Sequence, residues 1–66
     1  MFRVRLKELR MEKGYSQSEL ANLLCVSKQN ISDWETGKSE TNFDMIIKIA
    51  RLFDVTVGQL IGTEDM

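Results

Sequence analysis

Apolar positions along this chain fall into short helical stripes, and nothing alternates with period two for long enough to be a strand. In residues 16 to 37, SQSELANLLCVSKQNISDWETG, Leu20, Ala21 and Leu24 share one face and Ile31 and Trp34 share another, at the three- and four-residue spacings of an α-helix. Each stripe carries its own start signal. Ser16 with Glu19 three residues on has the form of a capping box, and Ser27 can cap the second helix. Only Cys25 and Val26 separate the first of these helices from the Ser27 cap, so the spacing predicts a tight corner. Ala21 is small where the helices must approach, and Val26 can plug the corner between them.

The flanks continue the pattern. Phe2, Leu6 and Leu9 line one face of a helix predicted over about Phe2 to Lys13, with Gly14 as a left-handed stop. The second helix of the central pair should end near Glu35, at Thr36-Gly37, and the polar segment Lys38 to Thr41 reads as a loop. Asn42 can cap a helix from Phe43 to about Phe53, whose Phe43, Ile46, Ile47, Ile49, Ala50 and Phe53 form a broad apolar stripe. Asp54 can turn the chain. Thr56 with Gln59 then has the form of a second capping box, opening a short helix that carries Val57, Leu60 and Ile61. The expectation is an all-α, compact five-helix domain occupying residues 1–66 as one unit.

Composition narrows the class. A chain of 66 residues, 42% hydrophobic and without proline, suits a small helical domain that buries about 60% of its unfolded surface. One cysteine allows no disulfide within the chain, which favours a reducing, cytoplasmic setting. No apolar run approaches the ~20 residues of a membrane span, and the first ten residues lack the apolar segment of a signal peptide. There is no histidine, no metal-ligand spacing, no glycine-rich phosphate loop and no evident pair of carboxylates in a cleft, so no catalytic residue, metal, cofactor or small-molecule ligand is expected. The net charge of -1 weighs against nucleic-acid binding, but its distribution softens the objection: residues 1 to 28 carry a net +3 and residues 29 to 66 a net -4.

The central pair has the layout of a helix-turn-helix, whose second helix enters a DNA major groove. If Val26, Ile31 and Trp34 are buried, Lys28, Gln29, Ser32 and Asp33 point the other way. Gln29 can bond bidentately to adenine, Lys28 can donate to guanine, and Asp33 can accept from cytosine N4. Ser16 and Gln17 lie at a helix N-terminus that favours a phosphate, Ser27 opens the second helix, and Lys38 adds a cation just beyond it.

The SQxELA start, the VSxxxIS segment and the WExGK ending together resemble the Cro/CI-type helix-turn-helix regulators of bacteria and phages, from Leu6 to Ile61. The resemblance implies a lambda-repressor-like fold and a transcriptional regulator, with a repressor of a double-stranded DNA operator expected. It also implies DNA contacts at Gln17, Lys28, Gln29, Ser32, Asp33 and the Thr36 to Lys38 turn, and an ion pair between Arg10 and Glu35. The chain departs from that pattern at Cys25, where glycine or asparagine is usual, at Thr41, where proline is common, and at Asp33, where many relatives are basic. Four groove-facing side chains specify few base pairs, so a homodimer on two half-sites is expected, with Val57, Leu60 and Ile61 as its interface. The competing reading is a protein-interaction module, such as an antitoxin or accessory regulator, that holds a partner with its acidic C-terminal half.

Overall fold

A computed structural model describes residues 2–62 and gives five helices: α1 Phe2–Glu12, α2 Gln17–Leu24, α3 Lys28–Thr36, α4 Phe43–Phe53 and α5 Val57–Ile61. No strand occurs among the described residues, and the fold is the all-α, lambda-repressor-like arrangement expected.

Local chemistry sets the helix starts. At α2 the Ser16 hydroxyl accepts from the Glu19 amide at 3.0 Å while the Glu19 carboxylate accepts from the Ser16 amide at 2.8 Å. Hydrogen bonding to Ser16, from its backbone N–H first and its side chain second, holds the Glu19 carboxyl below its ordinary pKa. Ser27 caps α3 through the Asn30 amide at 3.1 Å, and Asn42 caps α4 through the Met45 amide at 2.8 Å. Thr56 and Gln59 form the second box at α5, with bonds of 3.0 and 2.9 Å.

The stops are left-handed residues. Gly37 ends α3 at φ 80°, a conformation that calls for glycine; a Cβ there would lie 2.6 Å from the Arg3 guanidinium, which at the end of an exposed, flexible side chain can move aside. Cys25 ends α2 at φ 59° and Asp54 ends α4 at φ 57°, each with a side chain where the left-handed conformation costs about 1–2 kcal/mol. At the first corner this cost is offset by bonding of the freed carbonyls. The Cys25 and Val26 amides return to Asn22 and Ala21, and the Lys48 ammonium reaches across from α4 to donate to the Leu24 carbonyl at 2.9 Å.

Eleven buried residues make one core, drawn from all five helices: Leu6 and Leu9; Leu20, Ala21 and Leu24; Ile31 and Trp34; Ile49, Ala50 and Phe53; and Leu60. α2 packs on α3, α1 on α3 and α5, and α4 on α5. Tyr15, in the α1–α2 connection, lays its ring 6.4 Å from that of Phe53.

Two expectations are corrected. Phe43, placed in the apolar stripe of α4, is 65% exposed, while Met45 and Ile46 of the same turn pack against the core in its stead. Leu60, expected at a dimer interface, is fully buried within the monomer, so it closes the core and has no surface to offer a second chain.

Candidate nucleic-acid interface

The orientation of α3 follows from its two buried residues. Ile31 is fully enclosed and Trp34 is 7% exposed, and together they turn the opposite side outward. On that side Lys28 and Gln29 stand exposed and Ser32 and Asp33 are half-buried; Asn30, also exposed, lies on the flank. The hydroxyls of Ser16 and Ser27 accept backbone amides as caps; the Ser16 hydroxyl also bonds the Glu19 carboxylate, whereas Ser27 keeps its hydroxyl hydrogen to donate outward. Thr36 differs: its hydroxyl donates to the carbonyls of Ser32 at 3.0 Å and Asp33 at 3.3 Å, so it is not a donor for a phosphate. Lys38 is exposed one residue past the Gly37 stop.

A brace fixes α3 against the rest of the fold. Arg10 donates from Nε to Glu35 Oε2 at 2.6 Å and from Nη2 to Oε1 at 3.1 Å, a two-pronged contact that removes orientational freedom at both ends. Its third donor, Nη1, reaches the Tyr15 carbonyl at 2.9 Å. Gln17, at the start of α2, donates from Nε2 to Glu35 Oε1 at 3.1 Å. Three helices thus meet at a single carboxylate, and Arg10 ties the α1–α2 connection to it. Both charged side chains are sheltered, at 12% and 4% exposure. The bond to Glu35 uses one of the two amide hydrogens of Gln17 and leaves the second for a ligand.

Sequence reasoning missed one residue of this region and one contact. Arg3 lies against Gly37 and places a third cation near Lys38, yet 34 residues separate them and no spacing rule joins the two. Gln29 and Asp33 are joined, Nε2 donating to Oδ1 at 2.9 Å, and here the four-residue spacing was a signal. Behind this end of α3 an open hollow of about 370 Å³ runs between Phe2, Trp34 and Ile46 under a rim that includes Arg3 and Glu40. Among the described residues no cluster of His, Cys, Asp or Glu could hold a metal, and no helix is long and apolar enough to cross a membrane.

These features define a helix-turn-helix, and comparison with known proteins agrees. The helix-turn-helix family profile matches residues 6–60, and the chain belongs to that family, in its Cro/CI-type branch. It is 37% identical over 65 residues to the HTH-type transcriptional activator BcrR of Enterococcus faecalis, covering 98% of this chain and 32% of that protein. It is 32% identical over 62 residues to the HTH-type transcriptional regulator ImmR of Bacillus subtilis (strain 168), covering 94% of this chain and 49% of that one. The chain therefore spans a third to a half of these two relatives. Among solved structures it is similar to SinR, the master regulator for biofilm formation, determined in complex with DNA: TM-score 0.83, 35% identity, 92% of this chain and 98% of that chain.

Proposed function

We propose that this chain binds double-stranded DNA sequence-specifically as a homodimer, reads the major groove with α3, and represses transcription in the cytoplasm as a single domain spanning residues 1–66. The observation that carries the reading is the division of α3, with Ile31 and Trp34 inward, a cap at one end, a glycine stop at the other and the Arg10–Glu35–Gln17 brace holding it from behind. A recognition helix needs that rigidity, because a displacement of about 1 Å spoils bonds that must fall within about 0.5 Å of their partners. Likeness to a regulator solved with DNA supports the same partner. Repression is the simplest output: an occupied site blocks whatever else would use it, whereas activation needs a further contacting surface.

In this reading Lys28, Gln29, Ser32 and Asp33 face base edges, while Ser16, Gln17, Ser27 and Lys38 position the backbone; Thr36 contributes to the turn rather than to a phosphate. Lys28→Ala and Gln29→Ala are each expected to relax preference at particular base pairs, by about 1–3 kcal/mol of discrimination. Lys38→Ala should weaken binding to every sequence alike and lower the salt slope by about 1. Titrations of an operator and a random duplex at several salt concentrations check this. Equal losses on both duplexes for all three variants would sink the assignment.

The dimer contact expected at α5 rests, with Leu60 in the core, on half-exposed Ile61 beside Val57, which also packs on the core. Ile61→Glu should give a folded monomer in sedimentation with weakened operator binding, because a single half-site loses most of its selectivity against ~10⁶–10⁹ competing sites. An unaffected dimer would place the contact elsewhere.

A protein-interaction role is the second reading, favoured by the net -4 of residues 29 to 66. It predicts almost no duplex binding even at low salt, where the DNA reading predicts binding that falls steeply as salt rises.

A further inference from the structure

Among the described residues the outer face of α3 holds one hydrogen bond between two side chains, from Gln29 Nε2 to Asp33 Oδ1 at 2.9 Å. Its consequence follows from what a primary amide can offer. Glutamine has two N–H donors and one carbonyl acceptor. Unattached, it serves adenine by accepting from N6 and donating to N7, and it serves guanine by turning both N–H groups onto O6 and N7. Asp33 holds one of those two hydrogens. What remains, one N–H and the carbonyl, matches adenine; guanine would meet a single donor beside a carbonyl and a carboxylate that repel its acceptor edge.

Resting on the reading of α3 as a groove-facing helix, we propose that Asp33 is a specificity-determining residue that acts through Gln29, making the pair select adenine over guanine at the base pair Gln29 contacts. Asp33 is thereby a positioning residue for Gln29. Its second oxygen, which takes no hydrogen bond among the described residues, also faces an adjoining base pair, where it accepts from a cytosine N4 or adenine N6 group. An exposed pair one helical turn apart is weakly bound in water. In a groove that excludes water the bond strengthens, and an unpaired carboxylate there is costly, so the pairing holds where it is needed.

The test uses the chain with a duplex it recovers from random DNA, and with the same duplex carrying G·C for A·T at the pair whose preference Gln29→Ala abolishes. The parent should favour the adenine duplex at least ~10-fold. Asp33→Ala should bring that ratio close to one while the helical spectrum and melting curve stay those of a folded chain. Asp33→Asn keeps an acceptor for Gln29 without the charge; it should retain the adenine preference and raise affinity for random duplex. The double variant Gln29→Ala, Asp33→Ala should show the same adenine-to-guanine ratio as Gln29→Ala alone. A parental ratio in Asp33→Ala, or additive losses in the double variant, would overturn the pair while leaving groove binding intact. A parent that binds its recovered duplex no better than random DNA would overturn the groove reading and the pair with it.

Discussion

Trp34→Ala is expected to destabilise the domain by about 3–5 kcal/mol. A chain of this size has a total of only about 3–10 kcal/mol, so the variant should be largely unfolded at ambient temperature. The magnitude follows from position. At 7% exposure the indole is the largest side chain of α3 in the core, close to the end of the helix where Phe2 and Ile46 line the neighbouring hollow. Its removal opens a cavity that a wall shared by three helices cannot collapse to fill. Trp34→Phe should recover much of the loss. Urea unfolding followed by circular dichroism measures both, and a midpoint unchanged in the alanine variant would mean that α3 is turned the other way.

The second large effect is at the brace. Arg10→Met should cost about 3–5 kcal/mol, because it leaves the Glu35 carboxylate, 4% exposed, without its cation, and leaves the Tyr15 carbonyl without its donor. The companion variant Arg10→Met, Glu35→Leu removes both charges and should be considerably more stable than Arg10→Met alone, since the larger part of the loss is a stranded charge. It should nonetheless bind DNA poorly, because Gln17 then has nothing to hold its amide. A double variant no more stable than the single one would show that the pair contributes more by attraction than by mutual neutralisation.

Much of this architecture was legible because its determinants are local. Four N-caps are read from the cap residue itself, two of them with a partner three residues on, and the Gly14, Gly37 and Asp54 stops lie where the apolar stripes end. The Arg10–Glu35 contact was reached only through family resemblance, since nothing between residues 25 apart in sequence announces it. Gln17 joining that carboxylate, Lys48 closing the end of α2 and Arg3 lying on Gly37 were beyond reach for the same reason. Phe43 failed differently. Helical periodicity gathers residues onto one face without ranking them, and in the first turn of α4 Met45 and Ile46 pack against the core while Phe43 stays exposed. Leu60 shows the converse: a five-residue helix has too few positions to separate a core face from a contact face by pattern alone.

The division of α3 bears on how such a chain can diverge. Lys28, Gln29 and Asn30 take no part in the core, and exposed substitutions of that kind usually shift stability by no more than about 0.5 kcal/mol. With α3 as the reading helix, descendants can drift to new operators at those positions without first surviving a loss of fold. The Gln29–Asp33 bond is the exception to this freedom. Except where the new residue still accepts from Gln29, as Asp33→Asn would, changing either partner alone strands the other in the groove, so the old preference is lost before a new one exists. Lineages should therefore exchange the two residues together or keep both, and gene duplicates descended from this chain should differ at position 28 sooner than at 29 or 33.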